Sequence, residues 1–264
     1  MNRIDRLFRD ARSRGKKILI PFITAGDPDI GTTERLIPLI AASGGDIIEL
    51  GIPFSDPMAD GPTIQRASER ALASCTTVES ILAMVKKVRR STDIPIVLMG
   101  YYNPILCYGL ERFAVDARGA GVDGVLVVDL PPEESRDLAR HTRREGIHLI
   151  RLITPTTAGE RIRQIATSAG GYLYYVSVTG VTGARNALPN DLSERMAAIR
   201  NETSIPVVIG FGIGTPEMAR EAADSADGVV VGSALVRLFE EYRGDALERE
   251  VASFITSIRS SIPS

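Results

Sequence analysis

Short apolar runs of strand length recur along the whole chain, each followed by a longer stretch of helical period. This rhythm restricts the fold more than any other feature. The runs are ILIPFIT (18–24), DIIELGI (46–52), IPIVLMG (94–100), VDGVLVVDL (122–130), IHLIRLI (147–153), GYLYYVSV (171–178), IPVVIGF (205–211) and ADGVVVGS (226–233). They are rich in Val and Ile and nearly continuous in apolar residues, the pattern of strands covered on both faces. Helix-period stretches lie between them at 30–43, 62–74, 77–90, 109–119, 133–145, 158–168, 191–201, 215–224 and 245–262. Strands that alternate with helices form a parallel sheet. Eight units in 264 residues give roughly 33 residues per unit, the size of one βα repeat. No Pro-rich linker or change of composition divides the chain, and an edge strand of alternating pattern is missing. The expected fold is α/β, a closed (β/α)8 TIM barrel forming one domain over 1–264, rather than an open doubly wound sheet.

Ahead of the first strand, Ile4, Leu7, Phe8 and Ala11 share one face, so an extra N-terminal amphipathic helix is expected. The Arg-rich opening superficially resembles a transit peptide, but it carries Asp5 and Asp10 and the first strand starts at Ile18. Lys plus Arg number 31 against 33 Asp plus Glu, for a formal net charge of −2 with the signs interspersed. That balance excludes a basic face for gripping nucleic acid. No apolar stretch approaches the roughly 18 residues of a membrane span. Cys75 and Cys107 make neither a disulfide framework nor a metal spacing, so reduced thiols in a cytoplasmic protein are expected.

Barrels carry their chemistry on the loops at the C-terminal ends of the strands. Two of these loops are elaborated: the one after the second strand, which gains a helix at 62–74, and the one at 177–190. In the second strand Glu49 interrupts an apolar run. Side-chain alternation puts Ile47 and Glu49 on one face and Ile48 and Leu50 on the other. Leu50 belongs against the helices, so Glu49 points into the barrel mouth. It is there either a solvated rim carboxylate or a partly desolvated acid with a raised pKa. The segment Gly51 to Pro62 then presents Asp56 and Asp60 on a loop held by three prolines. Asp60-Gly61-Pro62 reads equally as a helix cap and as a second carboxylate for acid–base work. Glu49, Asp56 and Asp60 also offer oxygen ligands for Mg²⁺, whereas no His or Cys joins them to suit a transition metal.

Near the end of the chain Gly210-Phe211-Gly212-Ile213-Gly214 follows the seventh run, and Gly232-Ser233 follows the eighth and opens the apolar stretch 234–239. Each glycine alone is ordinary turn chemistry. Together, at the ends of these two strands, they suit a phosphate held on backbone N–H groups, with Gly180-Val-Thr-Gly183 as a further wall. The pattern is not a dinucleotide fingerprint, because the third glycine is missing and the position follows the seventh strand. His141 and His148 belong to the opposite end of the barrel. Ser177, Ser233 and the cysteines therefore have no His base for nucleophilic catalysis.

The run Glu49-Leu-Gly-Ile-Pro-Phe-Ser-Asp-Pro-Met-Ala-Asp-Gly-Pro-Thr-Ile-Gln65 resembles the signature of the tryptophan synthase α subunit family. Supporting segments follow in the same order over the whole chain: 21–28, Gly100-Tyr-Tyr-Asn-Pro104, 129–134, Gly180–Ala184, Gly210–Ile213 and Gly232–Ala234. The resemblance implies cleavage of indole-3-glycerol phosphate to indole and glyceraldehyde 3-phosphate. It assigns Glu49 to proton transfer at indole C3 and the adjacent hydroxyl, and Asp60 to the indole N–H. It places the phosphate on Gly183, Gly212, Gly232 and Ser233 beside Phe211, and the indole among Phe22, Tyr101 and Tyr174. Loops 53–60 and 178–189 would close over the substrate. No metal is implied. The implied partner is a β subunit in an αββα heterotetramer, docked over Pro53, Asp56 and Asn103-Pro104, with pyridoxal phosphate in that partner and no cofactor in this chain. The alternatives are a free-standing lyase, an idle barrel that only activates a partner, and another phosphate-binding barrel enzyme such as a sugar-phosphate isomerase.

Overall fold

Eight parallel strands close on one another in sequence order in the computed structural model, which describes residues 1–176, 188, 191–210 and 212–263. They are β1 (Ile18–Thr24), β2 (Ile48–Gly51), β3 (Ile96–Gly100), β4 (Gly124–Val127), β5 (His148–Ile153), β6 (Leu173–Val176), β7 (Val207–Gly210) and β8 (Gly228–Val231). β1 pairs with β2 through Phe22 opposite Glu49 and with β8 through Ile18 opposite Gly228, which completes the ring. Among the described residues the helices are α1 (Arg3–Arg14), α2 (Ile30–Ala42), α3 (Pro62–Ala73), α4 (Val78–Val88), α5 (Tyr102–Tyr108), α6 (Leu110–Ala120), α7 (Arg136–Arg144), α8 (Gly159–Ser168), α9 (Leu192–Glu202), α10 (Pro216–Ser225), α11 (Ser233–Glu241) and α12 (Gly244–Ser261). The (β/α)8 barrel expected from the rhythm of apolar runs is the fold observed, and every run supplies one strand.

Helix α5 departs from the expectation, since the segment after the third run reads as a loop around Asn103-Pro104. Pro104 falls within the first turn of α5, where a backbone N–H has no intrahelical acceptor and its absence costs no helical bond. The loop after β3 is therefore built up as well as the loop after β2.

Alternation sorts the strand residues into two packed layers. Ile20, Phe22, Ile47, Val97, Leu126, Ile150, Val208 and Val230 fill the barrel interior. Leu19, Ile23, Ile48, Leu50, Leu98 and Val125 pack outward with the helices. Glycines on the inner face make room for larger neighbours: a Cβ on Gly124 would lie 3.2 Å from Ile4 Cδ1 and from Val97 Cγ2.

The expected N-terminal helix, α1, closes the bottom of the barrel, with Ile4, Phe8 and Ala11 buried. Asn2 caps it by accepting from Ile4 N at 2.9 Å, and its amide donates to Asp123 O at 2.8 Å and Gly146 O at 3.0 Å. The Asp123 carboxylate is buried and accepts from Arg3 at 3.0 Å, from Arg89 at 2.9 Å and from Ile96 N at 2.9 Å. His148 lies at this end too, its Nε2 2.7 Å from Asp5, and His141 is in the last turn of α7. Both cysteines are free and exposed. No helix among the described residues is long and apolar enough to cross a membrane.

Replacing Asp123 by Ala leaves the buried Ile96 N–H without its acceptor. It also takes the carboxylate from Arg89, which among the described residues keeps only the Gly121, Thr92 and Ile94 carbonyls, and from Arg3, which keeps only Asp93. The expected loss of stability is about 3 kcal/mol, the usual scale for removing one partner of a buried ion pair. The check is the urea midpoint at an unchanged m-value.

Candidate active site

Strand β2 is four residues long and buried throughout, so its single charged residue enters the core with it. Glu49 faces the interior, as the alternation of side chains requires, and is 0% exposed, which is deeper than a partly desolvated rim position. Tyr172 donates its hydroxyl to Glu49 Oε1 at 2.6 Å, whereas the buried Oε2 has no hydrogen-bond partner among the described residues. Burial in this apolar setting pushes the Glu49 carboxyl up from 4.5 to about 7, against the downward pull of the Tyr172 hydroxyl. The same environment raises the Tyr172 hydroxyl well above 10, so it remains a proton donor in that bond. Tyr172 was not among the expected site residues. The sequence does hold its signal, because the run 171–178 carries Tyr172 and Tyr174 two residues apart and thus on one face.

Asp60 sits half-buried at the end of the loop after β2. It does not cap α3: the N-cap is Gly61, Pro62 is the first helical residue, and no side chain caps the helix. The Asp60 carboxylate instead accepts from the Tyr101 hydroxyl at 3.0 Å, and that hydroxyl accepts from Ala59 N at 3.0 Å. The rings of Phe54 and Tyr101 lie 5.2 Å apart, fixing the loop from the other side. Gln65 Nε2 donates to the Asp60 carbonyl at 2.8 Å. Burial pushes the Asp60 carboxyl up from 3.8 to about 6, again opposed by the tyrosine hydroxyl. Asp56 is exposed and takes the Ser55 hydroxyl as its donor. It does not line the cavity described next. Among the described residues no three His, Cys, Asp or Glu side chains converge to hold a metal ion, so the Mg²⁺ grouping of Glu49, Asp56 and Asp60 does not form.

Glu49 and Asp60 open onto one cavity of about 550 Å³, its mouth to solvent included. Phe22, Ile64, Met99, Tyr174 and Val230 supply its apolar walls, and Gly212, Ile213, Gly214, Gly232, Ser233 and Ala234 supply the far side. Of the expected site residues, the structure thus brings together Phe22, Glu49, Asp60, Tyr174, Gly212, Gly232 and Ser233. Tyr101 borders a smaller adjoining hollow that shares Asp60 and Phe22. Gly183, Phe211 and nearly all of the 178–189 loop lie outside the described residues.

Backbone geometry explains the glycines of the far wall. Gly212 has φ +90, a conformation that disfavours any side chain, although a Cβ there would meet nothing within 4 Å. Gly210 is needed for space: a Cβ would fall 2.0 Å from the Tyr174 hydroxyl. Helix α11 starts at Ser233 with Gly232 as its N-cap and no side-chain cap. Its first-turn N–H groups therefore point at the cavity without intrahelical acceptors, as an anion requires. No Lys or Arg lines the cavity among the described residues.

A protein-family model described as tryptophan synthase alpha chain matches residues 8–261. The chain belongs to the tryptophan synthase alpha chain family. It is 58% identical over 262 residues to the tryptophan synthase alpha chain of Geobacter sulfurreducens, covering 99% of each chain. It is 55% identical over 263 residues to that of Pelobacter propionicus, covering 100% of this chain and 98% of the relative. The solved structure of the Legionella pneumophila tryptophan synthase alpha chain superposes with a TM-score of 0.91 at 42% identity, covering 99% of this chain and 97% of that one. A structure of Mycobacterium tuberculosis tryptophan synthase gives a TM-score of 0.91 at 32% identity, covering 100% and 99%. Membership of the tryptophan synthase alpha chain family makes this barrel a lyase of the tryptophan pathway.

The raised pKa of Glu49 has a consequence for stability with a definite sign. The folded carboxyl keeps its proton to about 7 and the unfolded one only to 4.5. The contribution is full below 4.5, falls as the pH rises through 7, and is level above it. Glu49→Gln has no such loss. At pH 8 it is expected to exceed the parent in stability by up to roughly 3 kcal/mol, with the gap closing below pH 5, as read from urea unfolding at both pH values.

Proposed function

We propose that this chain cleaves indole-3-glycerol phosphate to indole and glyceraldehyde 3-phosphate and that its indole is consumed by a tryptophan synthase β chain. The observation that carries this reading is one cavity with two carboxyl groups in different environments at one side and an uncapped helix N-terminus at the other. The reaction is a retro-aldol cleavage with no redox change. Protonated Glu49 gives its proton to indole C3, which leaves positive charge on the ring nitrogen. Ionised Asp60 accepts the hydrogen bond from that N–H and stabilises the charge. Glu49, now a carboxylate, takes the proton of the neighbouring hydroxyl. The carbon–carbon bond then breaks, its electrons restore the indole ring, and the hydroxyl carbon becomes the aldehyde. Phe22 and Tyr174 flank the ring. Gly212, Gly232 and Ser233 present backbone donors to the phosphate, joined by Gly183 and Phe211 in the family's pattern.

The resemblance assigns pyridoxal phosphate to the β chain and no cofactor to this one. Exposed apolar side chains on two built-up rim segments support docking of that partner: Met58 after β2 is 87% exposed and Leu106 on α5 is 49% exposed. An αββα assembly and a cytoplasmic setting, the latter suited to two free thiols, complete the reading. A free-standing lyase would show no activation by a β chain, and an idle barrel would show no turnover.

The test is release of indole from indole-3-glycerol phosphate, with and without a β chain. Glu49→Gln is expected to lower kcat by about 10³-fold or more and Asp60→Asn by about 10²-fold, with substrate still bound. Turnover retained in Glu49→Gln would remove Glu49 from the mechanism. The productive form has Asp60 ionised and Glu49 protonated. The profile of kcat/KM is therefore expected to rise through about 6 and fall above about 7.

A further inference from the structure

Helix α3 carries Arg66 and Arg70 one turn apart, and both reach carboxylates on neighbouring elements. Arg66 donates to both oxygens of Glu240 on α11, Nε at 2.8 Å and Nη2 at 3.1 Å. Arg70 forks onto Asp27 in the loop after β1, with Nε and Nη2 each 2.7 Å from a carboxylate oxygen. Its remaining Nη1 lies 3.9 Å from Glu240. Asp27 is completely buried. Four charged side chains thus form one continuous network across three elements.

None of the four lines the cavity, and none is placed to exchange a proton with a ligand there. Both helices that they join nevertheless begin at it. α3 starts at Pro62, two residues after Asp60, whose carbonyl is held by Gln65 of the same helix. α11 starts at Ser233, which lines the same cavity as the carboxylates. An exposed ion pair adds little stability, and a buried one is rarely better than an apolar contact of the same size. What a bidentate guanidinium–carboxylate pair adds is fixed geometry.

We propose that the Asp27–Arg70–Glu240–Arg66 network is a clamp that sets the spacing between the segment presenting Asp60 and the helix end receiving phosphate. Arg70 and Glu240 are then positioning residues that hold the two ends of one substrate in register. This rests on the reaction proposed above. A substrate that spans both ends feels the clamp, whereas a fragment that touches one end does not.

Glu240→Ala releases Arg66 and leaves α11 seated by its buried Leu235, Val236 and Phe239. Inorganic phosphate and indole, measured separately, are expected to bind within about twofold of the parent, while kcat/KM for indole-3-glycerol phosphate falls about tenfold. Arg70→Lys keeps the charge without the fork and is expected to show the same split. The charge-swapped pair Arg66→Glu with Glu240→Arg is expected to recover kcat/KM to within about threefold of the parent. A lowered Tm with kcat/KM unchanged would reduce the network to a stabilising role and overturn the proposal. Weakened binding of inorganic phosphate by itself would also overturn it, by making Glu240 part of the anion site. Failure of the parent chain to release indole, even with a β chain present, would overturn the reaction and the clamp together; release at equal rates by parent and variants overturns the clamp alone.

Discussion

Sealing a carboxyl group inside an apolar barrel is costly, and the packing around Glu49 follows from that cost. An ionised carboxylate with no partner there would take up a proton well above neutrality. One hydrogen bond from Tyr172 offsets part of the penalty, and the group settles at about 7. Tyr172 is itself held from below. Its ring centroid lies 5.8 Å from that of Phe8, and Phe8 belongs to α1, whose first residues are tied to Asp123 at the base of the barrel. The helix that plugs the bottom thereby sets the position of the acid near the top. The base of the barrel and the buried carboxyl share a single column of side chains.

The parts of the molecule that were legible in the sequence are those in which one physical rule acts alone. Apolar runs at a regular spacing can be buried on both faces only in a sheet flanked by helices, so the barrel follows from periodicity. The inward orientation of Glu49 is legible because strand alternation leaves two choices and Leu50 occupies the outward one. Asp60 was ambiguous because its local sequence also satisfies the rules for a helix cap. The ambiguity ends only with Tyr101, which comes from another strand end and competes for the same carboxylate. The role of Tyr172 is hidden for a related reason: nothing in its own segment says that a carboxylate 123 residues away in sequence faces it. α5 is not legible in the sequence because Asn-Pro is usually a turn signal, and in the first turn of a helix it need not be one.

The two carboxyl groups differ in acidity because their surroundings differ, although both are simple acids bound by a tyrosine. Glu49 is enclosed by apolar residues, and Asp60 lies at a loop end with partial access to solvent. Their pKa values therefore separate, to about 7 and about 6, and between those values the pair holds its one proton on Glu49. The absence of Lys and Arg from the described cavity wall bears on this separation. A cationic side chain placed there to hold a phosphate would favour both carboxylates in their ionised form and would drain the proton from Glu49. Backbone N–H groups at a helix start such as that of α11 offer an anion only about half a unit of positive charge, concentrated within the first turn. In the reaction proposed above, a phosphate held on main chain instead of side chain leaves Glu49 its proton, a constraint that glycines at the one end and tyrosine-bound carboxyls at the other would both meet.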